Sequence, residues 1–503
     1  MSLLQSITST NMLDENRISN LDRIRELIIE VFEEKWEENF IFDSNNDRKI
    51  KYSEFLSETV SIKRELNKRE IKSGNILCTI LNNSSDFIKI YFAALISNFT
   101  IVPIDPEKGK EEINEIISFV NPKAIIVDKI EHDFVQNTIQ LKDINLETIN
   151  EVKDRLSILS KIDTERDFLI TFTSGSTGKP KGVVHSIKNL ILSAISFNEK
   201  FNFNSKNVFL HNLPMSYMAG ILNSIFLPFI CKSKIVVDQR FSMKSAMNFW
   251  EIPMKYSVNT FWFTPTIIGL LLKFDRGDEG KKFAKNYKVI GCVGTAALNP
   301  TIKQEFESRY DIDLYESYGL SEVLFVSTNS PNLNNENVGK LLKDVELNFK
   351  DKEILIKVPW MFKKYQNLEK EDCLVNGHFI SGDLGEISEN NLLTITGRKK
   401  DLIIKGGINI SPKKLEDFII NEKFFKECVI VGFSDNVLGE KTTCFILKNN
   451  NQNNLKKELN KKIVEKLGKD YHIDEFVELS EIPKTINGKI DKPKITQNYL
   501  KNK

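Results

Sequence analysis

The chain is poor in the residues that build metal and disulfide scaffolds. Its six cysteines (Cys78, Cys231, Cys292, Cys373, Cys428 and Cys444) are scattered over 503 residues and form no CxxC pair. That spacing excludes zinc ribbons and a disulfide framework, and fits reduced thiols in a cytoplasmic protein. None of the five histidines (His132, His185, His211, His378, His472) sits at metal-ligand spacing. An excess of one charge is also missing: 70 Lys+Arg face 69 Asp+Glu. A global pull toward nucleic acid or an anionic membrane is therefore not expected. No apolar run reaches the ~18 residues of a membrane span. The longest, around Gly220–Cys231, reads as a buried helix or strand. The N-terminus MSLLQSITSTNMLDENR lacks a basic segment followed by an apolar one, so a signal peptide is not expected.

What is present is ordinary globular composition, 41% apolar and 28% charged. It suffices for a large core and two or three structural units. Residues 1–72 read as helical and charged. Beyond them, short apolar runs at 75–81, 100–104, 122–128, 168–173, 234–238 and 288–294 alternate with helical patterns over 86–95, 111–120 and 186–201. That alternation predicts parallel sheets flanked by helices. Over 341–395 the pattern changes to short alternating runs, which predict antiparallel strands. A compact segment of mixed strands and helices follows Gly397-Arg398, with a domain boundary near Lys400. The Asn-rich stretch 448–457 reads as a surface loop.

One motif decides the class. After the strand at 168–173 comes Thr173-Ser174-Gly175-Ser176-Thr177-Gly178, then Lys179-Pro180-Lys181-Gly182. Glycines let backbone N–H groups approach anionic oxygens, hydroxyls donate further hydrogen bonds, and lysines neutralise charge. This is a phosphate-gripping loop. It is not a Walker A loop, because Thr173 and Pro180 stand where that pattern needs Gly and Ser/Thr. A flexible linker of this composition would not lie between an apolar strand and an amphipathic helix.

TSGSTGKPKGV resembles the phosphate loop of the adenylate-forming superfamily, which comprises acyl- and aryl-CoA synthetases, peptide-synthetase adenylation domains and luciferases. Four more segments resemble that family's motifs in its order: YESYGLSE (315–322), SGDLGEI (381–387), GRKKDLIIKGGINISP (397–412) and PKTINGKIDK (483–492). The resemblance runs from about Ile76 to Lys492. It implies an α/β fold with a large N-terminal domain of stacked, mostly parallel sheets (1–399). That domain would include a small antiparallel, barrel-like part. A small mobile α+β domain (400–503) would follow it.

The resemblance also implies roles. Thr173, Ser174, Gly175, Ser176, Thr177, Gly178 and Lys181 would hold the phosphates of ATP. Glu316, Ser317, Tyr318 and Ser321 would line the nucleotide site, with Tyr318 stacked on adenine. Glu322 would position Mg²⁺. Asp383 would accept the ribose hydroxyls, as a carboxylate with two acceptor oxygens can, and Arg398 would lie beside it. Lys489 would be the catalytic lysine and Lys400 the hinge. Each is unremarkable alone: a lone Tyr is usually a core residue, a lone Lys or Glu a solvated one. Ser321 stands where the family most often has Thr, and Glu316 where Gln or Asn is common.

On the acyl side, Tyr217 and Met218 in LPMSYMAG align with a motif that often reads LPLFHxxG, with Tyr217 in place of His. Gly294, Thr295 and Ala296 align with a small-residue segment. No acidic residue lies between His211 and Val237, which disfavours an amino-acid substrate. Apolar neighbours such as Met215 and Ile221 fit an apolar acyl pocket or plain core packing. The implied activity joins a small carboxylic acid to AMP. The acyl group then passes to a phosphopantetheine thiol, that of CoA first or, alternatively, of a carrier protein. A catalytically idle nucleotide-binding regulator is disfavoured by the presence of Lys489, Asp383 and Glu322.

Overall fold

The computed structural model describes residues 15–129, 137–144, 157–173, 181–330, 337–366, 371–425, 427–447, 452–484 and 490–501. Two large sheets form its first part. A nine-stranded sheet runs in the order Lys340–Leu341, Leu324–Thr328, Leu314–Leu320, Ile290–Val293, Thr260–Phe263, Val208–His211, Lys234–Val237, Asn39–Asp43, Arg48–Lys51. Its interior pairings are parallel and its outer ones antiparallel. A seven-stranded sheet runs Lys364–Tyr365, Lys181–His185, Leu169–Thr173, Thr100–Ile104, Ile76–Ile80, Ala124–Val127, Thr138–Gln140.

Both faces of these sheets carry helices, so their strands are apolar throughout; Thr100–Ile104 is buried at every position. Helix ends follow local chemistry. Asn98, Asn121 and Asn202 close helices in the left-handed conformation. Thr264, Asn299 and Ser411 cap helix starts with a side-chain oxygen, each followed by Pro at the first helical position. Phenylalanine fills the space between layers: Phe197 stacks 4.1 Å from Phe325, and both lie within 6 Å of Trp262.

Residues 346–398 form a five-stranded antiparallel sheet, and 403–479 a second five-stranded sheet with its own apolar core. The expected α/β class with a smaller α+β C-terminal part is what the chain adopts. Two local expectations need correction, and a third, the buried helix or strand around 220–231, is met in helical form. The segment 39–51 is not helical: Phe40 and Ile41 are fully buried and Asn39–Asp43 extends the large sheet. Gln452–Leu467 is a helix, so 448–457 is not wholly a loop. Residues 219–226 form a π-helix, leading into the helix Leu227–Ile230. The N-terminal residues 1–14 lie outside the described residues.

Candidate active site

The strand Leu169–Thr173 does not lead directly into a helix. The next strand among the described residues, Lys181–His185, is antiparallel to it, with Thr173 paired to Lys181. Ser174, Gly175, Ser176, Thr177 and Gly178 lie outside the described residues, but both stems of their turn are fixed. The second stem is held on its far side by Lys364–Tyr365. Lys181 Nζ sits 5.4 Å from the centre of the Tyr365 ring.

Nothing in the sequence around Tyr365 singles it out. Its hydroxyl donates to Glu322 Oε1 at 2.8 Å. It therefore joins the stem of the phosphate loop to the glutamate of YESYGLSE. Burial pushes the Glu322 carboxyl above its usual range, while the Tyr365 hydrogen bond and the charges of Arg398 and Lys181 pull the other way. His185 ends the second stem, and its Nε2–H donates to Ser321 O at 2.6 Å.

The ribose-side candidates form a second cluster. Asp383 and Arg398 are register partners on neighbouring antiparallel strands. Arg398 Nε lies 2.7 Å from Asp383 Oδ1, and the Tyr318 hydroxyl donates to Asp383 Oδ2 at 2.7 Å. Asp383 is buried, and its backbone N–H is held by Ser381 Oγ at 3.0 Å. Tyr318 and Asp383, taken from two separate motifs, are thus in direct contact.

Glu316 faces the helix Pro300–Tyr310, where buried Lys303 lies 3.4 Å from Oε1. Burial raises the Glu316 carboxyl and Lys303 opposes that. Ser317 Oγ donates to Thr328 Oγ1 on the next strand at 3.2 Å. Both Glu316 and Ser317 are therefore engaged within the protein. Lys400 is exposed in the 3₁₀ turn Lys399–Asp401. Lys489 lies outside the described residues, in a segment whose flanks are joined by a bridge between Lys484 and Ile490.

The acyl-side candidates gather at the C-terminal ends of the parallel strands. Met218 is buried, Tyr217 partly so, and both lead into the π-helix Ala219–Phe226. Gly220 is required there, because a Cβ would sit 2.0 Å from Pro214 O. Gly294 is different. A Cβ on it would meet only Trp262 Cζ3 at 3.6 Å and Ser317 O at 4.0 Å among the described residues. Thr295 has φ of 75°, a costly value for a β-branched residue, and Ala296 is exposed. His211 is fully buried, and burial drives its imidazole down to about 3, so the ring is neutral.

Removing the Tyr365 hydroxyl tests the first cluster. Tyr365→Phe withdraws a hydrogen bond that favours the charged Glu322, so the carboxyl should rise further. The acid limb of the pH–rate profile should then move to higher pH. The rate at neutral pH should fall about tenfold, the worth of one hydrogen bond to a charged group. An unmoved acid limb would remove Glu322 from the reaction.

Similarity to known proteins gives the family. Residues 31–365 match the AMP-binding enzyme family and 414–489 match the AMP-binding enzyme C-terminal domain. A malonate–CoA ligase of Arabidopsis thaliana is 30% identical over 305 residues, 56% of this chain. The chain spans about half the length of that relative (50%). The 2-succinylbenzoate–CoA ligase of Bacillus subtilis is 23% identical over 78% of this chain and 82% of its own length. A sulfoacetate–CoA ligase of Cupriavidus necator is 25% identical over 70% of this chain and 71% of its own. In structure, ATP-bound MatB from Rhodopseudomonas palustris superposes with a TM-score of 0.81 at 19% identity, covering 94% of this chain and 99% of that one. With two thirds of its length under the first match, this chain belongs to the AMP-binding enzyme family.

Proposed function

We propose that the protein activates a small carboxylic acid with ATP and passes the acyl group to the thiol of CoA. One carboxylate oxygen attacks the α-phosphorus of ATP, and the bond to pyrophosphate breaks, leaving acyl-AMP. The thiol sulfur then attacks the acyl carbon, and AMP leaves with the oxygen. The observation that carries this reading is the pair of clusters, Tyr318 and Arg398 on Asp383 at 2.7 Å and Tyr365 on Glu322 at 2.8 Å, with the charges of Arg398 and Lys181 both acting on Glu322.

In this reading Asp383 accepts the ribose hydroxyls next to Tyr318 and Arg398. The loop 174–178 and Lys181 hold phosphate oxygens, and Lys489 bridges the two anions that must meet. Glu322 suits Mg²⁺: it is a half-buried carboxylate oxygen donor near the phosphate-loop stem, and bound Mg²⁺ would supply charge neutralisation to the phosphates. Residues 1–399 and 400–503 act as two domains that turn about Lys400 between the steps.

CoA is favoured over a carrier protein because the relatives above are named as CoA ligases. Malonate, 2-succinylbenzoate and sulfoacetate are accordingly the first acids to try. A cytoplasmic setting fits the scattered cysteines, none of them in a CxxC pair. Among the described residues no helix is long and apolar enough to cross a membrane. The test is ATP–pyrophosphate exchange across a panel of carboxylic acids, which needs no thiol acceptor. Acid-dependent exchange is expected, and its absence with every acid would overturn the reading.

A further inference from the structure

Glu322 lies in the turn 321–323, between the strands Leu314–Leu320 and Leu324–Thr328. A turn has no ladder of its own, so its carbonyls must find donors elsewhere. Those of Leu320 to Val323 are all engaged. Leu320 O accepts from Val323 N–H within the turn at 3.3 Å. The next three are met from outside it. His185 Nε2–H donates to Ser321 O at 2.6 Å, Phe362 N–H to Glu322 O at 2.8 Å, and Trp360 Nε1–H to Val323 O at 2.8 Å. Trp360 and Phe362 belong to the segment that leads into the strand Lys364–Tyr365. His185 reaches the turn from the strand that follows the phosphate loop.

Strand alternation explains the placement. In Lys181–His185 side chains alternate between two faces, so Lys181, Val183 and His185 point to one side. Tyr365 is the register partner of Val183 on the neighbouring antiparallel strand and shares that side. The contacts agree. Lys181 Nζ lies 5.4 Å from the centre of the Tyr365 ring, the Tyr365 hydroxyl donates to Glu322 Oε1 at 2.8 Å, and the imidazole donates to Ser321 O. One face of two strands thus carries, in a row, a cation beside the phosphate loop, a donor to the Glu322 carboxylate and a donor to the backbone just before it.

His185 is fully buried. Burial alone asks only for an apolar side chain there, and Val183 on the same side is one. An imidazole is costlier to bury than a valine unless its N–H finds an acceptor. Here the acceptor is the carbonyl one residue before the candidate metal ligand. Without that hydrogen bond the turn keeps Phe362 and Tyr365 as partners but loses its tie to the strand that bears the loop.

We propose that His185 is a positioning residue: it sets the height of the Ser321-Glu322 turn over the strand that bears the phosphate loop, so that Glu322 and the loop engage one Mg²⁺–ATP together. This rests on the acid-activating reading above, with Glu322 as the metal ligand, and adds the residue that holds the two parts in register.

The test is titration calorimetry of ATP on the full chain, once with excess MgCl₂ and once with EDTA, for the wild type and for His185→Gln, His185→Asn and His185→Leu. The readout is the ratio of the two dissociation constants. In the wild type Mg²⁺ should tighten ATP binding. His185→Asn and His185→Leu should each lose about tenfold of that tightening, the loss typical of a group that orients a metal ligand. His185→Gln places an amide nitrogen where Nε2 stands and should keep it; Asn carries the same amide one methylene short. A histidine needed only for packing would lower the melting temperature of all three variants and leave the ratio unmoved. Misfolded protein lowers the stoichiometry and not the ratio, and Asn and Leu stand in for each other should one fail to fold. A wild-type ratio in the Asn and Leu variants, or an equal loss in the Gln variant, would overturn this inference and leave the acid-activating reading standing. So would a wild type whose ATP affinity ignores Mg²⁺. A wild type that binds no ATP under either condition would instead overturn the underlying reading, and this inference with it.

Discussion

Lys489→Ala should slow acyl-adenylate formation by a factor on the order of 10²–10³, the loss expected when one charged donor is taken from a developing anionic transition state. The same variant should convert supplied acyl-AMP and CoA to thioester at close to the wild-type rate, because no pair of anions then remains to be bridged. Lys400→Pro should show the opposite pattern. Lys400 lies in the exposed turn Lys399–Asp401, and a fixed φ there restricts the rotation of 400–503 that the second step requires. Single-turnover measurements of each half-reaction, with circular dichroism to verify folding, decide the matter. Equal loss of both steps in both variants would exclude domain rotation and leave a ligase that works in one conformation.

Asp383→Ala should weaken ATP binding by about 10²–10⁴-fold, since a carboxylate that accepts two hydroxyls makes two hydrogen bonds of ~1.5–3 kcal/mol each. The lower end is expected, because Tyr318 and Arg398 already donate to the two carboxylate oxygens at 2.7 Å and the ribose must share them. The variant also strips the Tyr318 hydroxyl of its acceptor, so a modest loss of stability, about 1–3 kcal/mol, should accompany it. Asp383→Asn keeps one oxygen and should lie between. Titration calorimetry that found unchanged ATP affinity in the alanine variant would remove Asp383 from the ribose site.

The elements that the sequence announced are those with one dominant local cause. Thr100–Ile104 and Ala124–Val127 are short apolar runs buried on every side. The helix Ile187–Phe201 declares itself through the Ser186–Asn189 capping box at its start and left-handed Asn202 at its end. The segment 39–51 was illegible because its strands are completed by a partner almost two hundred residues away, Lys234–Val237. Periodicity within a window cannot see that pairing. Motif order picks out Tyr318, Asp383 and Arg398, and the fold brings Tyr318 and Arg398 each onto Asp383. Tyr365 and Lys303 were not legible, since each acts through a neighbour supplied by the fold: Glu322 for one and Glu316 for the other. His185 is of the same kind. Val183 and Val184 before it mark a core strand, and only the contact with Ser321 distinguishes it from them.

The pairing of Arg398 with Asp383 sits two residues ahead of Lys400, and Lys399 Nζ is tied to Glu353 at 2.7 Å in between. The chain therefore enters the proposed pivot under restraint from two consecutive side chains, both anchored to the antiparallel sheet 346–398. On the assignment above, ribose competes for one of those two anchors. Nucleotide occupancy and the stiffness of the pivot then become a thermodynamic cycle: whatever free energy ATP spends in loosening Arg398, a locked pivot must return as altered ATP affinity. On that assignment a lever of this kind needs no messenger between distant sites, because a single carboxylate would serve as both the seat of the ligand and the cleat of the hinge.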